Sequence, residues 1–288
     1  MITNQLKRNI CAVLAAFAVT MAAVAQTDAD TCGYRPVASV FMAGVGHTSS
    51  HDSYLSSVSY SGLNVGLAYE HLQATGFAPR RWTRQLSLSA TFHNQRNPAA
   101  NHKSYCVGLG AEWNIMHRWR DVFAPGLNFF AGAGTGIDGM VEYRPSNVNN
   151  VVSVHMRWDI SAVAMAVYNT RIRRTPVSLR YQVTLPVIGV LYSPQYDESY
   201  YEMYVGNRSG LAHFASWGCR FDISNAVYAD FRLGSTILRL GYRNRVYSSF
   251  LQNINSRLTV HSFVIGVGGE LLTLGRESIT KSSVSAIY

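Results

Sequence analysis

The chain has 288 residues, a formal net charge of +9, 14% charged residues and 12% aromatic residues. Soluble globular proteins typically carry about 25% charged residues, so this composition sits apart from an ordinary water-soluble domain. No stretch beyond the N-terminus reaches the roughly 20 apolar residues a spanning helix needs, which excludes a helical membrane protein.

Lys7 and Arg8 precede an apolar run over 10–24 that is too short to span a bilayer. Ala23-Val24-Ala25 then offers small residues in the arrangement of an export-signal cleavage site. The expected layout is a signal peptide over 1–25, a periplasmic N-terminal segment over 26–36, a barrel over 37–274, and a tail or last strand over 275–288. Cys11 lies inside the signal and lacks the context of a lipid anchor. Cys32, Cys106 and Cys219 remain, an odd count that allows one disulfide and one free thiol. Their scattered spacing, with no C-x-x-C, argues against a metal site, and no cofactor motif is present.

From there the chain alternates at period two. Leu63, Val65, Leu67 and Tyr69 oppose Asn64, Gly66, Ala68 and Glu70. Tyr105, Val107, Leu109, Ala111, Trp113 and Ile115 oppose Ser104, Cys106, Gly108, Gly110, Glu112 and Asn114. Similar stripes recur near 86–93, 127–136, 153–164, 177–183, 227–233, 238–243 and 262–271. Alternating side chains point to opposite faces of a strand, so each segment has one apolar and one polar face. Aromatics close many segments (Trp82, Trp113, Trp119, Tyr143, Tyr168), as interfacial girdles require. The polar faces are rich in Gly and small residues, which suits a narrow interior. The fold class read from this pattern is all-β: a single antiparallel up-and-down transmembrane β-barrel. Ten strands are expected, over 37–46, 61–72, 84–93, 103–115, 126–137, 152–168, 176–185, 226–233, 236–246 and 258–271. Residues 186–225 form a large outer loop in that reading, and a further pair at 211–222 and 277–288 would raise the count to twelve. Gly234-Ser235 reads as a tight hairpin.

Charges on the polar faces nearly balance: Glu70, Glu112, Asp159, Asp230 and Glu270 against Arg157, Arg180, Arg232 and Arg239. Buried charges must pair, so these residues are expected to interlock across the lumen, either as a plug or as a charged conduit. Three connections, holding Arg80, Arg81 and Arg84, then Arg118 and Arg120, then Arg171, Arg173 and Arg174, place eight arginines at one rim. With the N-terminus in the periplasm that rim is periplasmic, where arginine can reach lipid phosphates or simply keep turns soluble. Arginines spread over the turns of an exported chain do not form a nucleic-acid footprint. The expected partners are outer-membrane lipids, lipopolysaccharide included, around a monomer in a Gram-negative outer membrane.

The densest oddity is the tyrosine-rich stretch of Tyr192, Tyr196, Asp197, Glu198, Tyr200, Tyr201, Glu202 and Tyr204. Tyrosine offers contact area with a polar tip, so this loop is a candidate lip for a glycan, a peptide or lipid head groups; the alternative is an interfacial belt or a loop tucked into the barrel mouth. Arg180-Tyr181-Gln182, Leu185-Pro186, Tyr192-Ser193-Pro194-Gln195-Tyr196, Ser199-Tyr200-Tyr201-Glu202, Leu238-Arg239-Leu240-Gly241-Tyr242 and His261-Ser262-Phe263 resemble the bacteroidete outer-membrane barrels classed as a domain of unknown function. The resemblance implies a barrel and carries no activity. Family members carry Gly-Gln where this chain has Asp197-Glu198. An enzyme reading has no Gly-x-Ser-x-Gly, His-Glu-x-x-His or phosphate loop behind it. Adjacent His261 and Ser262 point to opposite faces, while His155, His93, Asp159 and Ser153 share the lumenal parity. The reading is a structural or surface-binding barrel with a largely plugged lumen, with a lipid or peptide hydrolase or a narrow channel as rivals.

Overall fold

The computed structural model describes residues 34–147, 151–173, 175–193, 211–234 and 236–274, with side chains described from 37 to 269. Eleven strands follow one another: β1 (Tyr34–Asp52), β2 (Tyr60–Ala74), β3 (Trp82–Arg96), β4 (Lys103–Trp119), β5 (Leu127–Tyr143), β6 (Val152–Ile172), β7 (Thr175–Tyr192), β8 (Ala212–Ser216), β9 (Arg220–Leu233), β10 (Thr236–Leu251) and β11 (Ile254–Leu274). All neighbours pair antiparallel. β1 pairs with both β2 and β11, and β6 pairs with β7, so ten strands close on themselves and β8 is a short spur on β7. Closure leaves no sheet edge within the ring.

The direction of the alternating faces decides what kind of barrel this is. Phe41 is 68% exposed, Leu109 65% and Phe263 71%, while Gln95, Asp230 and Arg239 are fully buried. The apolar stripes therefore face outward and the charged stripes face in, the inverse of a soluble protein and the arrangement of a membrane-spanning barrel. Aromatic rings line the rim of the β2–β3 and β4–β5 turns in a chain: Phe77 and Trp82 are 6.1 Å apart, Trp82 and His117 5.1 Å, His117 and Trp119 4.5 Å.

Several boundaries differ from the sequence reading. The strands outrun the apolar belt at the opposite, loop rim: β1 reaches Asp52, β3 Arg96 and β5 Tyr143, so the loops there are shorter than alternation implied. Polar residues such as Thr48 and Ser50 continue the ladder although their stripes no longer alternate in hydropathy. The segment 186–225 is not one loop. β7 continues to Tyr192 through a bulge, where Ile160 pairs with Ile188 but Ser161 pairs with Pro186, leaving Val187 extra. Proline has no N–H for the ladder, which is why it sits at such an irregularity. β8 and the first part of β9 also fall within it, while 194–210 lie outside the described residues. At the turn rim Arg118 is buried and donates to the Arg80 carbonyl at 2.9 Å, so it braces the β2–β3 turn rather than reaching outward. Cys106 and Cys219 are free thiols. Residues 1–25, expected to be a signal peptide, and Cys32, Arg174, Tyr196 to Glu202 and the tail 275–288 lie outside the described residues.

Candidate binding site in the barrel lumen

The lumen is built in tiers. Nearest the turn rim it is apolar: Leu72 from β2, Met116 from β4, Phe130 from β5, Met165 and Val167 from β6, and Ile237 from β10 pack into one cluster. Alternation alone assigned this face to polar groups, and the inward parity of β6 does carry Ser153 to Ser161 before turning apolar at Val163. Filling the lower lumen with large side chains excludes water there, because interiors pack to crystal-like density.

A charged clamp lies immediately above. Glu70, two residues from Leu72, accepts from Arg180 Nη1 at 2.7 Å, from Arg239 Nη1 at 2.9 Å and from Gln85 Nε2 at 3.1 Å. Arg239 also reaches Asp230 with Nε at 2.6 Å and Nη2 at 2.7 Å. The Tyr228 ring lies between both guanidinium groups, each 4.6 Å from its centroid. Gln85 and Gln182 exchange amide hydrogen bonds of 3.0 Å across the lumen, and Asn114 donates to Gln85 Oε1 at 3.1 Å. Strands β2, β3, β4, β7, β9 and β10 are thereby tied across the barrel interior.

The next tier is a second ion-pair set. Asp138 meets Arg157 at 3.1 Å and Arg245 at 3.2 Å; Asp222 meets Arg245 at 2.8 Å; Arg220 pairs with Asp159. The Arg157 guanidinium lies 4.7 Å over the Tyr247 ring. At the mouth, Glu142 accepts from Ser104 at 2.7 Å and from the buried Arg144 at 2.7 Å. Asp52 lies 3.2 Å from both Ser153 Oγ and His155 Nε2. Asp52, Glu142 and His155 gather their ligand atoms within 4.8 Å of one another, though Arg144 already balances Glu142.

Between clamp and mouth remains a cavity of about 230 Å³. One wall, from β2 to β4, carries mainly small side chains, including Gly66, Ser87, Ser89, Thr91 and Gly108. The other, from β6, β9 and β10, carries Arg157, Arg243, Arg245 and Tyr247. Among the described residues the cavity opens toward the loop rim, where Asp52, Tyr192 and Ile254 line it.

The residues singled out by sequence divide as follows. Glu70, Arg180, Asp230 and Arg239 form the clamp, and Arg157 and Asp159 join the second tier. Glu112 faces the lumen half-buried, with no hydrogen bond or ion pair among the described residues. Arg232 donates to Ser178 Oγ at 3.1 Å. Glu270 pairs through its backbone with Ala38, and its side chain is not described. Tyr192 is half-buried at the end of β7. The sequence reading passed over Asp138, Asp222, Arg220 and Arg245. Parity on β5 and β10 extends to Asp138 and Arg245, whereas Arg220 and Asp222 fell inside the supposed loop. His155 and Ser153 do meet, at 3.3 Å, but through Nε2, the same nitrogen that faces Asp52. A nucleophile–base–acid relay needs opposite ring nitrogens for its two partners, so this trio does not form one. His93 lies with Thr48 instead, and His261 faces outward beside Tyr242 and Asn244.

Fold and lumen together define a membrane-type β-barrel whose lower interior holds a cluster of packed apolar side chains. The chain belongs to the family described as Protein of unknown function (DUF3316), whose model matches residues 10–278. No curated protein matches the chain in sequence. Among solved structures it is similar to the translocator domain of the autotransporter NalP from Neisseria meningitidis, at 11% identity over 89% of this chain and 97% of that one, with a TM-score of 0.34. It is also similar to the transport unit of the autotransporter AIDA-I from Escherichia coli (8% identity, 85% and 92% coverage, TM-score 0.38) and to a mutant of the monoaromatic hydrocarbon channel TodX (8%, 83% and 90%, 0.29).

Proposed function

We propose that this protein is a monomeric outer-membrane barrel of a Gram-negative bacterium with a structural or surface-binding role, closed to through-flow at the turn rim and open as a cup at the loop rim. The observation that carries this reading is the buried clamp of Glu70, Arg180, Arg239 and Asp230 seated on the Met116–Phe130–Val167 cluster. Charges bound this way, over a dry apolar layer, leave no hydrated path. The outward apolar belt supports the membrane location, with the aromatic chain at Trp82 and Trp119 at one interface and lipids, lipopolysaccharide included, as its surroundings. The arginine-bearing turns then face the periplasm, and the tyrosine-rich sequence after Tyr192 is the proposed contact for a glycan or peptide. Purified protein in planar bilayers is expected to give no steady conductance. Regular single-channel steps from the wild-type chain would overturn the closed reading in favour of a channel.

A further inference from the structure

Two buried groups on the small-residue wall of the cup have hydrogen-bonding capacity that the protein does not use. Asn64 and His93 are register partners on β2 and β3, each only 2% exposed, and both line the cavity. Asn64 donates through Nδ2 to Ser262 Oγ at 2.6 Å, and its Oδ1 is buried with no partner among the described residues. The reach is possible because Gly46 stands between them in the register: a Cβ there would fall 1.8 Å from the His261 carbonyl oxygen, so no side chain intervenes.

His93 Nε2 is likewise buried without a partner. Its other ring nitrogen ends a chain of bonds. Ser50 donates to Gln95 Oε1 at 2.8 Å, and Gln95 Nε2 donates to Thr48 Oγ1 at 3.3 Å. Thr48 thus has its own hydrogen left for His93 Nδ1, 3.4 Å away. A neutral imidazole that accepts at Nδ1 carries its hydrogen on Nε2. The wall therefore holds one acceptor, Asn64 Oδ1, beside a ring nitrogen, His93 Nε2, that donates when Nδ1 accepts from Thr48 and accepts in the other tautomer. Leaving such groups unused is costly in a native interior, and each calls for an explanation.

We propose that the cup is a binding site for a small neutral polyhydroxy molecule the size of a single sugar ring. A hydroxyl both donates and accepts, which matches the Asn64–His93 pair. Both register partners of Thr91, Gly66 and Gly108, lack side chains, and only the small Thr91 side chain lies over them, its Oγ1 2.8 Å from where a Gly108 Cβ would stand. A cavity of about 150 Å³ holds one benzene, so about 230 Å³ is room for one sugar ring and not for two. An ionic ligand fits less well. Asp138, Asp222, Arg157 and Arg245 are engaged with one another, and Arg243, which makes no ion pair among the described residues, has Glu112 as a nearby acid. The inference rests on the cup being open at the loop rim, and its test is independent of the conductance measurement that decides the floor.

The test is isothermal titration of the full chain, purified in a detergent without a sugar head group, with glucose, galactose, mannose, N-acetylglucosamine and maltose in turn. At least one monosaccharide is expected to bind saturably at one site per chain, with maltose much weaker. Asn64→Ala removes the acceptor, and Thr91→Phe fills the recess between two glycines; each is expected to weaken binding by about tenfold or more, with the strand signal in circular dichroism retained. Absence of saturable heat for every monosaccharide, equal binding of maltose, or wild-type affinity in the folded Thr91→Phe variant would overturn the proposal.

Discussion

Glu70→Ala is the sharpest probe of the clamp. Glu70 accepts four hydrogen bonds, three of them from guanidinium groups on Arg180 and Arg239. The four charged members balance as two acids against two arginines. Removing Glu70 leaves two cations against Asp230 alone in a buried tier, and breaking a buried pair in this way costs about 3–5 kcal/mol. Arg180→Met should cost less, because Glu70 keeps its bond from Arg239. The double variant Glu70→Leu/Arg180→Met leaves Arg239 with Asp230 in balance, and should recover most of the loss by replacing ions with packed apolar groups. The assay is urea unfolding of the barrel in lipid vesicles followed by tryptophan fluorescence, with Glu70→Leu measured as well so that it, Arg180→Met and the double variant close a double-mutant cycle. A Glu70→Ala barrel within about 0.5 kcal/mol of wild type, or a double variant no more stable than that single one, would refute the argument that paired charge organises this tier.

Two further outcomes test the outer surface and the loop end. Leu109 is 65% exposed midway along the outward face of β4, so Leu109→Arg should lower folding stability in vesicles by about 2–4 kcal/mol. The same exchange on a water-facing surface stays within about 0.5 kcal/mol, and that smaller result would refute the lipid-facing assignment. Cys106 is 1% exposed inside the barrel whereas Cys219 is half-buried at the loop end. Maleimide labelling of the folded barrel, read by mass spectrometry, should therefore modify Cys219 and spare Cys106 until denaturant is added; faster labelling of Cys106 would contradict the packed lumen.

The ring of ten strands was legible because lipid imposes one rule on every strand: the outward residue must be apolar. Leu63 to Tyr69 and Tyr105 to Ile115 obey it without exception, and their parity placed Glu70 and Glu112 inside. The rule weakens where lipid ends. Thr48, Ser50 and Asp52 stand in β1 with polar residues on both faces, so hydropathy had nothing to alternate and the strand end was missed. β7 was lost for a different reason: the bulge at Val187 switches the outward parity from Leu179, Tyr181 and Val183 to Ile188 and Val190. A period-two reading ends at such a switch. β9 suffered from position, since Arg220 and Asp222 look like loop residues until β10 is seen to pair with them, Tyr247 opposite Asp222 and Ser249 opposite Arg220.

The site posed a harder problem, because partners in a barrel are chosen by height in the lumen rather than by sequence. Glu70 and Arg180 are both inward by parity, but nothing in their strands says that they share a tier while Glu112 and Arg243 stand apart. Tier membership depends on register, and register accumulates through every pairing from β2 round to β7. The apolar floor follows the same logic. Leu72, Met116, Phe130, Val167 and Ile237 each lie within a few residues of a strand end at the turn rim, so each looks locally like a break in alternation. Once closure brings the five ends together they become one layer, and large residues there with small ones above them make a cup rather than a uniform tube. The gradient in side-chain size along the inward stripes, from Leu72 to Gly66 on β2 and from Met116 to Gly108 on β4, is therefore the sequence feature that sets which end is sealed.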